Sequence, residues 1–179
     1  MDRGLSKLAA LAAMALLASA CASTPGQAPA LGGFRMGTND SDGPRIVRPA
    51  KTTSCVPFAR QQSGIAIYGD AYTWWDQAHG RYGEYNSPRI GSVMVLVGYA
   101  GPKHGHLAVV RRIVSDREIR VDHANWLNDG NLYLNTPVLD VSDDNDWSQV
   151  RVWNTRDGHL GAGTYRVQGF IAPATVASR

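Results

Sequence analysis

The sequence predicts an α+β fold, with N-terminal helices packed on a largely antiparallel β-sheet. Two helix signals come first, within residues 54–80, and valine-rich runs typical of strands follow Gly91. Tight-turn sequences such as Asn-Asp-Gly and Arg-Asp-Gly separate those runs, which favours antiparallel pairing. Hydrophobic residues make up 44% and charged residues 18% of the 179 residues, as in a globular protein rather than a disordered one.

Both helices have recognisable ends. Ser54 is a residue type that commonly caps a helix, Pro57 is tolerated in a first turn, and Gly64 provides a stop. A second helix is predicted from Asp70, as its N-cap, to Gly80. The residues between the helices and the strands, 81–90, read as turns.

Five segments have the composition of strands, with β-branched or aromatic residues recurring over four to seven positions. They are residues 93–97, 107–110, 119–123, 150–153 and 165–171. A run of strands after a run of helices is the order expected of an α+β domain.

The N-terminus has the pattern of an export signal. Arg3 and Lys7 precede an apolar run at 8–17 that is too short to span a bilayer. Two cleavage readings of Ala18-Ser19-Ala20-Cys21 remain open: cleavage at the small residues, or lipidation of Cys21 at a bacterial lipobox. We therefore expect a signal peptide over 1–20 and an exported protein, periplasmic or in the cell envelope. With lipidation it would be an outer-membrane lipoprotein, attached to the membrane through Cys21.

A tether and a single domain are expected to follow the signal. Residues 21–50 are rich in Ala, Ser, Pro and Gly and lack a hydrophobic period, so they read as a flexible tether. The folded domain is predicted over 51–175. The formal charge of +3 is too small to indicate a nucleic-acid partner, and two cysteines exclude a disulfide-rich scaffold.

Cys55 is the first candidate for chemistry, because it stands at a predicted helix start. The free N–H groups and the dipole of a first turn favour a thiolate, which would make Cys55 nucleophilic. The alternative, a buried cysteine acting as a small apolar residue, is common and stays open on this feature alone.

Two histidines at strand ends supply the candidate partners of that thiol. His106 opens an apolar strand after a Gly-Pro-Lys-His-Gly loop and is placed to act as a general base, whereas His104 reads as a loop residue. His123 ends the next strand on the same predicted face as Asn125, and a polar group there can orient the base. Asp122 is expected to face solvent.

At this point the sequence resembles the CHAP domain family, the cysteine- and histidine-dependent amidohydrolases/peptidases, over about residues 51–173. The resemblance rests on an ordered set of short motifs. They are Cys55 followed by Pro57-Phe58-Ala59-Arg60, then Gly64, the Ala71–Trp75 helix, Ser87-Pro88 before Gly91, Gly105-His106, Asn125-Trp126 and Gly169-Phe170-Ile171.

The resemblance implies a papain-like (NlpC-type) fold and cleavage of amide bonds in peptidoglycan. By position it makes Cys55 the nucleophile and His106 the base. Many members carry Glu where His123 stands, and a histidine there resembles the Cys-His-His set of NlpC-type enzymes. Many members also carry Asp where this chain has Ser92.

The expected function is therefore a peptidoglycan hydrolase, either an N-acetylmuramoyl-L-alanine amidase or an endopeptidase of the stem or cross-bridge. Cys55, His106 and His123 would be catalytic, with Asn125 orienting them or contacting substrate, in a monomer without cofactor or metal. Four aromatic residues are candidates for a substrate groove, with core packing as their alternative: Trp74, Trp75, Tyr82 and Tyr85. Two other functions stay open. One is a non-catalytic envelope adaptor that binds wall fragments. The other is a zinc-binding module that uses Cys55, His104, His106 and His123.

Overall fold

The computed structural model describes residues 43–173, and these form a domain dominated by β-strands. Its elements, in chain order, are β1 (Arg45–Val47), α1 (Cys55–Ser63), a 3-10 turn (Ala71–Thr73), α2 (Trp74–Ala78), β2 (Gly83–Tyr85), β3 (Val93–Val97), β4 (Gly105–Ile113), β5 (Glu118–Ala124), β6 (Leu132–Asp140), β7 (Gln149–Asn154) and β8 (His159–Ala172). Strand β1 lies within the segment that the sequence assigns to the tether.

Six strands close into a barrel through antiparallel pairing. The order β6-β5-β4-β3-β8 is completed by β7, which pairs with both β6 and β8. Strand β1 extends the barrel by pairing with β6, and β2 does so by pairing with β8. Closure satisfies the backbone donors and acceptors that an open sheet leaves unpaired at its edges.

The predicted fold class, α+β with a papain-like arrangement of N-terminal helices on a sheet, is wrong. Strands hold 43% of the described residues against 13% in helices, and the six-stranded sheet is closed rather than open. Within residues 43–173 there are only two α-helices, of nine and five residues. Short helices bury little apolar surface, so the barrel rather than a helical layer provides most of the core.

Two packed clusters fill the domain and place the two faces of β4 in different surroundings. Inside the barrel, Ala108 and Val110 of β4 pack with Met94, Trp126 and Phe170. On the other face of β4, Leu107 and Val109 pack against helix residues. The helix-side cluster comprises Ala59, Ile65, Ile67, Ala71, Trp74, Ala78, Val93, Val95, Leu107, Val109 and Ile171. His106 lies two positions before Ala108 on β4, so its side chain faces the interior of the barrel as well. It is the second residue of the strand and therefore lies near one end of the barrel.

Candidate active site

Helix α1 begins at Cys55, as the sequence predicts. Ser54 has extended backbone angles at the N-cap position, and Gly64 ends the helix in the left-handed region with its N–H donated to the Arg60 carbonyl. Cys55 carries a free, half-buried thiol in the first turn of α1. The start of α1 therefore presents a sulfur atom at an edge of the helix-side cluster.

Burial dominates the electrostatics of this thiol. It raises the pKa of Cys55, while the backbone amides of Leu107, Cys55 and Val56 act in the opposite direction without cancelling it. Desolvation therefore outweighs the helix-start amides that favour a thiolate. The contribution of the Leu107 amide also shows that the beginning of β4 reaches the sulfur.

A glycine allows β4 to begin there. A Cβ atom on Gly105 would lie 2.6 Å from the backbone nitrogen of Tyr72 and 2.9 Å from the Leu96 oxygen. These are backbone atoms that cannot move aside, so only glycine permits the 3-10 turn to pack directly against this strand. The next residue, His106, is consequently fixed at the mouth of the barrel.

His106 and His123 form a buried pair. Their side chains approach with Nε2 of His106 2.9 Å from Nδ1 of His123, and the two rings meet edge to face at 82°. The residues are only 3% and 1% exposed. Strand pairing explains the meeting, since His123 of β5 lies opposite Ala108 of β4, two positions from His106.

Both histidines are neutral at ordinary pH. Burial lowers the pKa of His106 to about 3. Burial and the neighbouring His106 hold the pKa of His123 well below its usual value. Because Nε2 of His106 is engaged by His123, Nδ1 is the nitrogen of His106 left for a proton from outside the pair.

Aromatic rings enclose this pair. Trp126 lies 4.8 Å from His106 and 5.3 Å from His123 between ring centroids, and Tyr99 lies 5.5 Å from His106. The Tyr99 hydroxyl donates a hydrogen bond to the Trp126 carbonyl. The enclosure keeps water from the imidazoles and so strengthens electrostatic interactions between them.

Tyr99 is a site residue that the sequence reasoning missed. Burial raises the pKa of its phenol, with smaller contributions from Tyr165 and Cys55, which places the phenol in the electrostatic surroundings of the thiol. The signal was available: the loop between paired strands β3 and β4 must lie at the same barrel end as His106. A tyrosine in that loop is therefore a neighbour of the site.

Asn125 and Asp122 serve other contacts than the histidine pair. The Asn125 side-chain oxygen accepts from the Gly130 N–H at 2.7 Å, and Asn125 itself has a left-handed φ of 60° that breaks the alternation predicted from His123. Asp122 lies on the opposite face of β5, where it accepts 2.7 Å from Nε of Arg111. It is partly exposed and ion-paired.

Two clefts flank the segment that leads into Cys55. A cleft of about 630 Å³ is lined by Lys51, Thr53, Ser54, Pro57 and their neighbours. A second, of about 420 Å³, is lined on one side by Thr52–Ser54 and on the other by Asn125, Asp129 and Gly130. Asn125 therefore belongs to the wall of a cleft beside Ser54, the residue that precedes Cys55.

The predicted aromatic groove is not formed as expected. Trp74 is fully buried in the helix-side cluster, and Trp75 and Tyr82 pack against that cluster. Tyr85 packs instead against the barrel core. None of the four lines either cleft beside Cys55, so for Trp74 the alternative of core packing is correct.

The zinc set is not brought together. His104 is exposed in the loop before β4, whereas His106 and His123 are buried. Across residues 43–173 no three His, Cys, Asp or Glu side chains are arranged to hold a metal ion. The four residues of that alternative therefore do not form a common ligand sphere in this fold.

The segments that carry the expected signal, lipobox and most of the tether, Cys21 included, lie outside the described residues. In the part of the chain that is described, no helix is long and apolar enough to cross a membrane.

Comparison with known proteins gives a match to one protein-family model. Neither the curated proteins nor the solved structures contain a match to the chain. The family model of the CHAP domain matches residues 47–125, a span that contains Cys55, His106 and His123. Domains of this kind are typically amidohydrolases or peptidases with an amidase-like role at the cell wall. The match supports the CHAP domain family for residues 47–125 of this chain.

Proposed function

We propose that this protein is a peptidoglycan hydrolase that cleaves amide bonds with Cys55 as nucleophile and His106 as general base. The observation that carries the proposal is the buried His106–His123 pair at the end of the barrel where the β4 backbone reaches the Cys55 sulfur. A nucleophile, a base and a group that orients the base are the parts that acyl transfer requires.

The resting state in this proposal is a neutral thiol beside a neutral imidazole. Burial raises the pKa of Cys55 and lowers that of His106, so a preformed ion pair is disfavoured. The proton then moves from Sγ to Nδ1 of His106 as sulfur attacks the amide carbonyl, and the resulting imidazolium is stabilised through its Nε2–H by His123.

The remaining steps return the site to its starting state. The carbon–nitrogen bond breaks as His106 transfers its proton to the leaving amine, which leaves a thioester on Cys55. Water, deprotonated by His106, then attacks the thioester and releases the carboxylic acid and the thiol. Backbone N–H groups in the first turn of α1 are the donors for the oxyanion, and loss of one such donor costs about 3 kcal/mol in other hydrolases.

We propose further that the protein acts outside the cytoplasm, exported by the signal over residues 1–20. In this proposal Cys21 carries a lipid that anchors the domain to the envelope membrane, and the segment up to residue 50 gives it reach towards the wall. Metabolic labelling with a fatty-acid analogue tests this: labelling of the wild type but not of Cys21→Ala is expected. Absence of label from the wild type contradicts the anchor without bearing on the hydrolase.

Digestion of purified peptidoglycan tests the roles proposed for Cys55 and His106. Cys55→Ala and His106→Ala should each lower the rate of product release by roughly 10³-fold or more, because each removes one of the two groups that exchange the proton. His104→Ala is the matched control, since this histidine lies two residues away but is exposed in the loop. It should digest at the wild-type rate.

Mass analysis of the products identifies the bond and so separates amidase from endopeptidase activity. Equal product patterns from the wild type and Cys55→Ala would defeat the hydrolase proposal. They would favour the alternative of an adaptor that binds wall fragments, which a sedimentation assay with insoluble peptidoglycan then measures directly.

A further inference from the structure

Among the described residues, the His123 ring has one hydrogen bond that depends on its orientation. Its Nδ1 meets Nε2 of His106, but its own Nε2 is buried and has no hydrogen-bond partner among the described residues. A half-turn of the ring would replace Nδ1 by a carbon atom and break the contact with His106. Packing must therefore hold the ring in the productive orientation.

Tyr133 provides one wall of that packing. It stands directly opposite His123 in the pairing of β5 with β6, with ring centroids 5.4 Å apart, and its side chain is only 1% exposed. Directly opposed residues on neighbouring strands are the closest side-chain pairs in a sheet. The Tyr133 ring therefore limits the rotation of the imidazole.

Asp129 anchors the far end of the Tyr133 ring. The phenol donates to Oδ2 of Asp129 at 2.7 Å, and the same oxygen accepts from the Asn131 amide at 2.9 Å and from Arg156 at 3.2 Å. Although desolvation acts to raise the pKa of Asp129, these donors and the Arg156 charge leave it lowered. Burial and Asp129 raise the pKa of Tyr133 to about 12, so the phenol stays a donor.

We propose that Tyr133 and Asp129 are positioning residues that hold His123 with Nδ1 towards His106. The chain of contacts is continuous: carboxylate to phenol, phenol ring to His123, and His123 to His106. Tyr133 is buried and acts only through its neighbours, whereas Asp129 also lines the cleft beside Thr52–Ser54, so Tyr133→Phe is the variant that reports positioning alone. The assignment rests on the proposed function for its catalytic consequence, but the orientation of His123 is a property of the folded protein itself.

The test of activity uses a soluble muropeptide as substrate. Tyr133→Phe keeps the ring and removes the anchor, and Asp129→Ala removes the acceptor, so each should lower kcat by about tenfold. In Tyr133→Phe, KM should be unchanged because the geometry of the base matters in the chemical step. Asp129→Asn retains an oxygen acceptor for the phenol and should restore kcat to within about threefold of wild type.

Tyr82→Phe is the matched control. It also deletes a tyrosine hydroxyl that holds a hydrogen bond, here with the backbone N–H of Ala66 at 2.9 Å, but on the helix side of the barrel. It should leave kcat at the wild-type value. An equal loss in Tyr82→Phe and Tyr133→Phe would overturn the proposal, because it would show a general cost of losing such a bond.

A second readout does not depend on hydrolysis. In ¹⁵N NMR spectra of the imidazoles, the wild type should show His123 protonated at Nε2 and unprotonated at Nδ1, in one sharp form. Tyr133→Phe should show exchange broadening or a second form of the same ring, with its melting temperature recorded to confirm folding. Sharp and identical His123 signals in both proteins would overturn the positioning role even if the wild type hydrolyses nothing.

Discussion

The two ends of strand β6 each carry an aspartate that organises a loop, and the two aspartates have different reach. Asp140, at the end of β6, accepts from the Ser142 N–H at 2.9 Å, the Ser142 hydroxyl at 2.6 Å and the Trp147 N–H at 3.2 Å. All of these donors belong to the loop that follows β6. Asp140 is buried, with a residue exposure of 3%.

Asp129, just before β6, closes its loop in the same way, since its Oδ1 accepts from the Asn131 N–H at 3.1 Å. Its second oxygen differs because it also binds the phenol of Tyr133, whose ring contacts His123. The same residue type thus stabilises a loop at one end and connects a loop to the histidine pair at the other. Whether such an aspartate affects residues beyond its own loop therefore depends on which group donates to its second oxygen.

The largest expected difference between the two ends is in their response to acid. The pKa of His106 is lowered to about 3 and that of His123 lies well below 6.5, whereas both bind protons near pH 6.5 when the chain unfolds. The unfolded state therefore gains protons first, and stability present above pH 6.5 is lost as the pH falls. The pair should cost up to about 4 kcal/mol of unfolding free energy between pH 7 and pH 5.

Urea unfolding at several pH values between 7 and 5 measures this slope. The groups around the pair, Cys55, Tyr99 and Tyr133, are neutral throughout this range and do not contribute protons to it. His123→Gln should reduce the slope by about half, since one of the two histidines is gone. If the slope of the unfolding free energy against pH were unchanged in this variant, the acid sensitivity would come from groups other than the histidine pair.

The next effect is the stability cost of losing Asp140. Asp140→Ala leaves two N–H groups and one hydroxyl of the following loop without their acceptor, which should lower the unfolding free energy by about 3 kcal/mol. Below its melting temperature the variant should keep kcat within about twofold of wild type, because these contacts do not reach the histidines. Chemical unfolding and muropeptide kinetics on the same preparation measure both quantities.

Asp129→Ala should show the reverse of Asp140→Ala, with a small loss of stability and a large loss of kcat. Its carboxylate is 20% exposed, so its stability cost should be smaller, while kcat falls. If both variants lost kcat by the same factor at a temperature where both are folded, the proposed difference between the two ends of β6 would not exist.

Cys55 and His106 lie at the start of a helix and of a strand, as the sequence predicts, and both positions have local signals. Cys55 stands between a capping residue and a proline, and His106 follows a glycine at the start of an apolar run. Such patterns depend on a few neighbours in the chain, so helix α1 and the beginning of β4 were predictable. The meeting of His106 with His123 was also accessible, because the two lie on consecutive antiparallel strands.

The closed barrel was not predictable in the same way, because strand β6 was missed. Asn135, with a left-handed φ of 52°, and Pro137 interrupt the alternation of β6, and both residue types argue against a strand. Tyr133, which we propose as a positioning residue, lies on this strand and was missed with it. Pairing of β6 with β5 and β7 is a nonlocal event that decides whether the sheet closes.

The smallest expected effect concerns the exposed arginine beside each aspartate. Arg156 lies 3.2 Å from Asp129 and is 57% exposed, whereas Arg117 lies 4.0 Å from Asp140 and is 43% exposed. Arg156→Ala should change the unfolding free energy by less than about 0.5 kcal/mol, because exposed ion pairs are weak and screened by salt. Tyr133 and Asn131 still hold the carboxylate in this variant, so kcat should stay within about twofold of wild type.

Arg117→Ala should lower the unfolding free energy by more than Arg156→Ala does, since Arg117 also donates to the Ser142 carbonyl at 2.8 Å. A tenfold loss of kcat in Arg156→Ala would mean that the arginine charge, rather than the phenol hydrogen bond, is what connects Asp129 to the histidine pair.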